Sequence, residues 1–233
     1  MQLVIFDVDG TLTRTNAVDH ECFLAALRAE LGLAVDDVDW AGFKHVTDHG
    51  VVHELCERAL GRPPTDDEHA RLVDGFMTRL AAAYERDAAR FDPVPGSPSA
   101  FEHARASHAV AIATGCWRRS ACFKLDRARI EHSTTPAGLS EDGPARESIL
   151  RAATERALAL HRRARFDRIV SVGDATWDVR AARNLGLAFV GIARGARAEK
   201  LRAAGAETVL DDYADLAAFE AALAGARVPL APG

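Results

Sequence analysis

Short apolar runs that alternate with long helix-forming segments constrain the fold of this chain more than any other feature of its sequence. Four such runs cover residues 3–6, 109–113, 169–172 and 188–192, and a weaker one covers residues 208–210. They are apolar almost throughout, which is typical of strands covered on both faces. Strands separated by helices pair in parallel through right-handed crossovers. The pattern therefore predicts an α/β fold around a parallel sheet.

The segment between the first two runs has a different character, because it contains helical patterns and almost no strand signal. Apolar residues recur at helical spacing and stop at Gly32, and Thr65 and Glu68 have the spacing of a capping box. Prolines at positions 93, 95 and 98 then interrupt the helical pattern, as a return linker does. This segment is predicted to be a helical insertion.

The insertion divides the chain into two domains. We predict a Rossmann-like core formed by residues 1–14 and 92–233, with a helical cap domain at residues 15–91, inserted after the first strand. Open α/β sheets bind ligands beyond the carboxyl ends of their strands. A cap inserted at this point would therefore lie over the ligand site.

Composition narrows the class of partner. The chain has 29 Lys and Arg against 34 Asp and Glu, a formal net charge of −5, so we expect no nucleic-acid partner. No apolar run approaches the roughly 20 residues that a membrane span needs, and no signal peptide is recognisable. The four cysteines lack the C-x-x-C spacing of zinc and redox sites. We expect reduced thiols, a cytoplasmic location and a small-molecule partner, and the sequence leaves the oligomeric state open.

Polar residues follow three of the predicted strands. The first run continues into Asp7 and Asp9, the second into Thr114-Gly115, and the third into Asp174 and Asp178. Any one of these tips is equally typical of a polar turn or a helix cap. Because the carboxyl ends of parallel strands meet at one edge of the sheet, the three together predict a single site.

Four carboxylates at one sheet edge need a cation. In a partly dry site with an effective dielectric constant near 20 they would repel one another by several kcal/mol. Carboxylate oxygens suit Mg²⁺ better than zinc or iron, which prefer nitrogen and sulfur. Asp174 and Asp178, four residues apart where a loop enters a helix, are the predicted metal holders.

These motifs resemble those of the haloacid dehalogenase superfamily, in its phosphoglycolate-phosphatase-like branch. The similarity extends over essentially the whole chain, including the position of the helical insertion. It is carried by Asp7-Val8-Asp9-Gly10-Thr11, Thr114-Gly115, a basic residue before the third strand, Gly173-Asp174 with Asp178, and the cap-to-core return Val94-Pro95-Gly96.

The resemblance implies a role for each motif residue. Asp7 would be the nucleophile that forms an aspartyl-phosphate, and Asp9 would be the general acid and base. That second role requires the environment or the substrate to raise the pKa of Asp9. Thr114 and the amide of Gly115 would hydrogen-bond the phosphoryl oxygens. The Mg²⁺ ligands would be Asp7, the backbone carbonyl of Asp9, Asp174 and Asp178.

The third motif is usually a lysine in this family, and none of the three lysines fits it. Lys44 lies in the insertion, Lys200 follows the fourth strand, and Lys124 is expected on the helix after Thr114-Gly115. Arg146, at the start of a helical pattern, occupies the expected place and can neutralise phosphate. The alternative is that Arg146 is an ordinary arginine on a solvated helix.

Substrate contacts from the cap are expected in the polar stretch of residues 44–50. Lys44, His45 and Thr47 are the candidate substrate-binding residues. An equally acceptable interpretation is a solvated turn between helices, with Asp48 as a helix N-cap.

The predicted function is that of a Mg²⁺-dependent phosphatase. It would hydrolyse a small phosphorylated metabolite, a phosphate monoester, through an aspartyl-phosphate intermediate. Asp9 argues against carbon–halogen cleavage, which needs no acid for the leaving group, and against phosphonate-cleaving relatives, which replace this Asp. The alternatives are a sugar-phosphate mutase, which keeps the same core residues, and a non-catalytic protein that binds a phosphorylated ligand.

Overall fold

A six-stranded parallel sheet organises the chain. The computed structural model describes residues 1–33, 35 and 40–231, and within them the strand order is β3-β2-β1-β4-β5-β6. The predicted α/β fold is confirmed, and all five predicted strands are present. The strands are β1 (Gln2–Phe6), β2 (Ala109–Ala113), β3 (Ala137–Gly138), β4 (Arg168–Gly173), β5 (Ala188–Ile192) and β6 (Val209–Leu210).

Helices cover both faces of this sheet and form the inserted region. Helix α3 begins with the predicted capping box between Thr65 and Glu68, and α1 ends at Gly32 in the left-handed conformation, with φ of 66°. Short 3₁₀ turns occur at Trp40–Gly42, Ala88–Phe91 and Ser140–Asp142. The helices are α1 (Asn16–Leu31), α2 (Asp48–Leu60), α3 (Asp66–Arg86), α4 (Ser97–Ser107), α5 (Arg118–Arg127), α6 (Arg146–Leu160), α7 (Thr176–Leu185), α8 (Ala196–Ala203) and α9 (Leu216–Gly225).

Burial on both faces explains the unbroken apolar runs. In β1, Val4 and Phe6 belong to an apolar cluster on one face of the sheet, and Leu3 and Ile5 belong to a second cluster on the other. Side chains alternate between the faces of a strand, so a strand covered twice must be apolar at every position. β1 pairs with β2 on one side and β4 on the other, which places its carboxyl end between theirs.

The helices of the inserted region have an apolar cluster of their own. Phe23 of α1 packs against Phe76 of α3, with ring centroids 5.9 Å apart. Trp117, which follows β2, is fully buried in the same cluster and ties the insertion to the sheet edge. The domain boundaries at residues 15 and 91 stay a prediction.

The structure also bears on two expectations from composition. In the part of the chain that the structure describes, no helix has the length and hydropathy that crossing a bilayer would require. All four cysteines are free thiols.

Candidate active site

Three buried carboxylates meet at the carboxyl ends of β1 and β4. Asp7 follows β1 directly, Asp174 follows β4, and Asp178 lies in the first turn of α7. One oxygen from each lies within 4.8 Å of the others, and we call this group the acidic cluster. The backbone amide of Asp7 donates to the carbonyl of Val172, at 3.0 Å, and so fixes the loop to β4. Such a set of hard oxygen donors can hold a divalent cation.

Gly10 makes this close approach of the loops possible. Its φ is +73°, in the left-handed region that glycine tolerates best. A Cβ atom at this position would lie 2.0 Å from Oδ2 of Asp174. A side chain here would therefore push the first loop away from the acidic cluster.

The acidic cluster is strongly shifted toward its protonated forms. Burial raises the pKa of Asp7 well above its usual range, despite the opposing charge of Arg146. Burial also raises the pKa of Asp174 to about 7, although Arg197 lowers it, and raises the pKa of Asp178 against the effect of Arg146. The arginines thus compensate only part of the cost of burying three negative charges. A bound cation would supply the missing positive charge.

Arg146 is the first residue of α6 and spans two members of the acidic cluster. Its Nη1 donates to Oδ1 of Asp7, at 3.2 Å, and its Nη2 lies 3.4 Å from Oδ1 of Asp178. Burial alone would lower the pKa of Arg146, but the charges of Asp178 and Asp7 raise it above the ordinary value. The alternative of an ordinary arginine on a solvated helix is wrong, because the side chain is only 13% exposed and contacts the nucleophile candidate.

The polar tip of β2 lies at the same edge of the sheet. The Thr114 amide donates to the carbonyl of Gly138, and the Thr114 hydroxyl accepts from the amide of Cys116. At Gly115 a Cβ atom would lie 3.0 Å from the carbonyl oxygen of Val46, in the inserted region. The backbone of the insertion therefore lies directly against this tip.

Asp9 belongs to a second group of ionisable side chains, in which Asp9 and Asp19 are half-buried and Cys116 and Lys124 are buried. We call this group the lysine cluster. The Asp9 Oδ2 atom accepts from Lys124 Nζ, at 2.7 Å, and from the Cys116 thiol, at 2.7 Å. Its Oδ1 accepts from the Thr15 hydroxyl, and Lys124 also forms an ion pair with Asp19. Both oxygens of Asp9 are thus engaged by donors.

Lys124 lowers the pKa of both carboxylates in this group. Burial alone would raise the pKa of Asp9, but the charge of Lys124 and the hydrogen bonds from Cys116, Lys124 and Thr15 leave it below the ordinary value. Burial raises the pKa of Asp19 to about 6, although Lys124 opposes the shift. The environment around Asp9 therefore favours the carboxylate form, and the raised pKa that a general acid needs would have to come from the substrate.

A cavity of about 150 Å³ connects the two clusters. The predicted residues that line it are Asp7, Asp9, Thr47, Thr114, Gly115, Arg146 and Asp174. Asp48, from the polar stretch of residues 44–50, also lines it. The other polar and aromatic lining residues, which were not predicted as site residues, are Asn16, Asp19, His20, Trp40, Cys116 and Trp177. Asn16, Asp19 and His20 follow the nucleophile loop at helical spacing i, i+3 and i+4, a signal that could have identified one polar face of α1.

Two of the predicted substrate contacts lie in a neighbouring cavity. Lys44 and His45 line a space of about 120 Å³ that shares Arg146 and Trp177 with the larger one, and Arg180 also faces it. Lys44 is exposed, whereas His45 is half-buried. Their contact with substrate stays a prediction.

Within the stretch of residues 44–50, Thr47 and Asp48 are docked against the core rather than solvated. Thr47, not Asp48, is the N-cap of α2, and its hydroxyl accepts from the amide of Gly50 and donates to the carbonyl of Pro144. The Asp48 amide donates to the carbonyl of Gly115, and its carboxylate accepts from the Trp117 amide, at 2.9 Å. The interpretation as a solvated turn capped by Asp48 is therefore wrong. Asp48 is 9% exposed because it closes the insertion onto the β2 tip.

Comparison with known proteins identifies the family. The model of a hydrolase family, described as haloacid dehalogenase-like hydrolase, matches residues 1–186. This chain belongs to the haloacid dehalogenase-like hydrolases. The resemblance seen in the sequence motifs is confirmed, and the protein is an enzyme of the hydrolase class. No curated protein matches the sequence significantly.

Solved structures share the fold of this haloacid dehalogenase-like hydrolase. A hydrolase from Pseudomonas syringae superposes with a TM-score of 0.70 at 23% identity, covering 93% of this chain and 96% of the other. A putative beta-phosphoglucomutase from Bacteroides vulgatus gives 0.67 at 14% identity, covering 96% and 90%. A predicted phosphoglycolate phosphatase from Haemophilus somnus 129pt gives 0.58 at 17% identity, covering 94% and 97%. At these identities the likeness establishes the architecture alone.

Proposed function

We propose that this hydrolase is a Mg²⁺-dependent phosphatase that acts on a small phosphate monoester through an aspartyl-phosphate on Asp7. The observation that carries the proposal is the position of Asp7, which is 5% exposed at the end of the central strand β1. Arg146 contacts it from α6, two further carboxylates lie beside it, and the cavity opens onto it. A buried carboxylate surrounded by cation-binding groups suits attack on a phosphoryl group.

The acidic cluster fits Mg²⁺ by the chemistry of its donors. Asp7, Asp174 and Asp178 offer only carboxylate oxygens, and the backbone carbonyl of Asp9 would add a fourth oxygen ligand. When bound, the ion supplies positive charge that offsets the repulsion between the Asp7 carboxylate and an incoming phosphate dianion.

In the first half-reaction Asp7 attacks phosphorus. A bond forms between a carboxylate oxygen of Asp7 and phosphorus, and the bond from phosphorus to the oxygen of the leaving alcohol breaks. Asp9 gives its proton to that oxygen. Asp9 takes this proton from solvent as the substrate binds, because the negative charge of the phosphate dianion raises the pKa of Asp9 against the effect of Lys124.

In the second half-reaction water releases phosphate. Asp9, now a carboxylate, takes a proton from a water molecule, whose oxygen attacks phosphorus and displaces the Asp7 carboxylate. Thr114, the amide of Gly115 and Arg146 hydrogen-bond the phosphoryl oxygens in both steps. The lowered pKa of Asp9 keeps it in the carboxylate form, which is the form that can accept this proton.

The size of the cavity supports a small substrate. At about 150 Å³ it is below the roughly 300–1,000 Å³ of sites for drug-sized ligands. We further propose that Lys44, His45 and Thr47 contact the substrate from the cap. The four free thiols support a cytoplasmic location.

The test is turnover of p-nitrophenyl phosphate with and without Mg²⁺, for the parent enzyme and for Asp7→Asn. The variant is nearly isosteric but cannot attack, so turnover should fall to background while the unfolding transition is kept. Asp67→Asn, which changes an exposed aspartate of α3, is the matched control and should retain full activity. Residual activity of Asp7→Asn near the parent value would refute the nucleophile assignment. A sugar-phosphate mutase would hydrolyse this substrate feebly while isomerising a hexose phosphate.

A further inference from the structure

Lys124 is a fully buried lysine that the reaction described above does not use. It lies on α5, with 0% of its side chain exposed, whereas Lys44 and Lys200 are exposed. Removing an ammonium group from water costs several kcal/mol unless it is paired and hydrogen-bonded. A buried lysine therefore needs strong partners, and their positions indicate what it does.

The partners of Lys124 come from separate segments of the chain. Its Nζ lies 2.7 Å from Oδ2 of Asp9, in the loop after β1, and 3.2 Å from Sγ of Cys116, after β2. It also contacts Oδ1 of Asp19, on α1. Asp9, Asp19 and Cys116 bring their ligand atoms within 4.8 Å of one another, an arrangement that could hold a metal ion. Here the ammonium of Lys124 contacts all three.

These contacts fix the side chain of Asp9. Lys124 and Cys116 donate to one carboxylate oxygen and Thr15 donates to the other, so three donors from different elements determine its orientation. Proton transfer needs the acid within about 2.6–3.2 Å of the oxygen it serves. A displacement of roughly 1 Å can lower a rate by about 10²-fold.

We propose that Lys124 is a positioning residue for Asp9. Its ammonium, held by Asp19 of α1, keeps the Asp9 carboxylate at the place where the leaving oxygen departs. This inference rests on the proposed phosphatase function. The competing explanation is that Lys124 only balances the charge of two half-buried carboxylates.

A pair of variants separates these roles. Lys124→Met removes the ammonium group and keeps an unbranched side chain that is one heavy atom shorter. The double variant Lys124→Met with Asp19→Asn removes one positive and one negative charge, so it keeps the net charge of the lysine cluster. Lys200→Met, on the exposed face of α8, is the matched control. Each protein is measured for stability in urea and for kcat/KM on ethyl phosphate and on p-nitrophenyl phosphate with Mg²⁺.

The two substrates differ in their need for an acid. Ethoxide requires a proton to depart, whereas p-nitrophenolate does not, and kcat/KM reports the steps up to the first bond cleavage. For the double variant we expect a fall on the order of 10²-fold with ethyl phosphate and less than about threefold with p-nitrophenyl phosphate. Equal losses on both substrates, or full recovery of the parent values in the double variant, would overturn the proposal.

Asp19→Asn alone provides an independent test that keeps Lys124 in place. It should lower the ethyl-to-aryl ratio of kcat/KM, because the ammonium loses its anchor on α1, and an unchanged ratio would overturn the proposal even if both lysine variants failed to fold. A parent enzyme without turnover of p-nitrophenyl phosphate would instead contradict the proposed function. The two failures are therefore distinguishable.

Discussion

The acidic cluster and the lysine cluster both contribute residues to the lining of one cavity, and they compensate the charge of their carboxylates in different ways. Each brings three side chains with metal-ligand atoms within 4.8 Å of one another. In the acidic cluster the positively charged side chains are Arg146, which is 13% exposed, and Arg197, which is 55% exposed. In the lysine cluster the cation is Lys124, which is completely buried.

The difference indicates which of the two clusters gains from a bound metal ion. Asp174 keeps a pKa raised to about 7, whereas Asp9, in contact with Lys124, has a lowered one. An added cation stabilises carboxylates most when the positive side chains around them do not balance their charge. It stabilises carboxylates that are already paired very little. We expect the acidic cluster to respond to Mg²⁺ and the lysine cluster to be insensitive to it.

The largest expected effect is the loss of the Mg²⁺ response in Asp174→Asn. Activity should fall to background, and Mg²⁺ should no longer stabilise the fold. In the parent, a hundredfold excess of Mg²⁺ over its Kd should stabilise by about 2.7 kcal/mol. Thermal unfolding with and without Mg²⁺ measures this difference. Asp19→Asn should keep the Mg²⁺ shift, and its loss in that variant would contradict the separation of the two clusters.

A smaller effect is expected on stability when the internal cation is removed. Lys124→Met leaves two carboxylates without their buried partner, which costs about 3–5 kcal/mol in comparable cases. Adding Asp19→Asn should restore most of this loss, because one of the unpaired charges disappears. Urea unfolding gives the free energies, and the exposed Lys200→Met control should stay within about 0.5 kcal/mol of the parent. A loss that the second substitution leaves unchanged would mean that packing, not charge, explains the burial of Lys124.

The arginines of the acidic cluster should differ in their effect on catalysis. Arg146→Ala removes one charged contact to the phosphoryl group and should lower kcat/KM by about 10²-fold, or about 3 kcal/mol. Arg197→Ala, which removes a mostly exposed side chain, should have a smaller effect. Steady-state kinetics with p-nitrophenyl phosphate compares them. Equal rates for Arg146→Ala and the parent would show that another cation serves the phosphoryl group.

The last expected effect is a pH dependence of stability from Asp174, which is small for each pH unit. Its pKa is raised from 3.8 to about 7 in the folded protein. Between these two pH values the folded state therefore binds more protons than the unfolded state. Its contribution is therefore present below pH 3.8 and is lost as the pH rises toward about 7, with a slope on the order of 1 kcal/mol per pH unit. Urea unfolding of the parent and of Asp174→Asn, both without Mg²⁺, isolates this contribution. Parallel pH profiles of the two proteins would contradict it.

Much of the sheet could be predicted from local sequence, because strands buried on both faces leave unbroken apolar runs. Strand β3 was not predicted, since its two residues, Ala137 and Gly138, carry no such run. The Asp48 interpretation failed for a related reason. An aspartate after a threonine resembles a cap, and only the contact with Trp117 and Gly115 shows that it is buried.

The sequence by itself determined the α/β architecture and the order in which acidic tips follow the strands, because both depend on hydrophobic runs and on residues directly beside them. Only the tertiary structure decided the partner of Asp9. Lys124 is 115 residues away along the chain, and the helix that carries it gives no local sign of which neighbour it will meet. A buried charge is identified by what surrounds it in space, and this is set by the packing of α1 and α5 against the loop after β1.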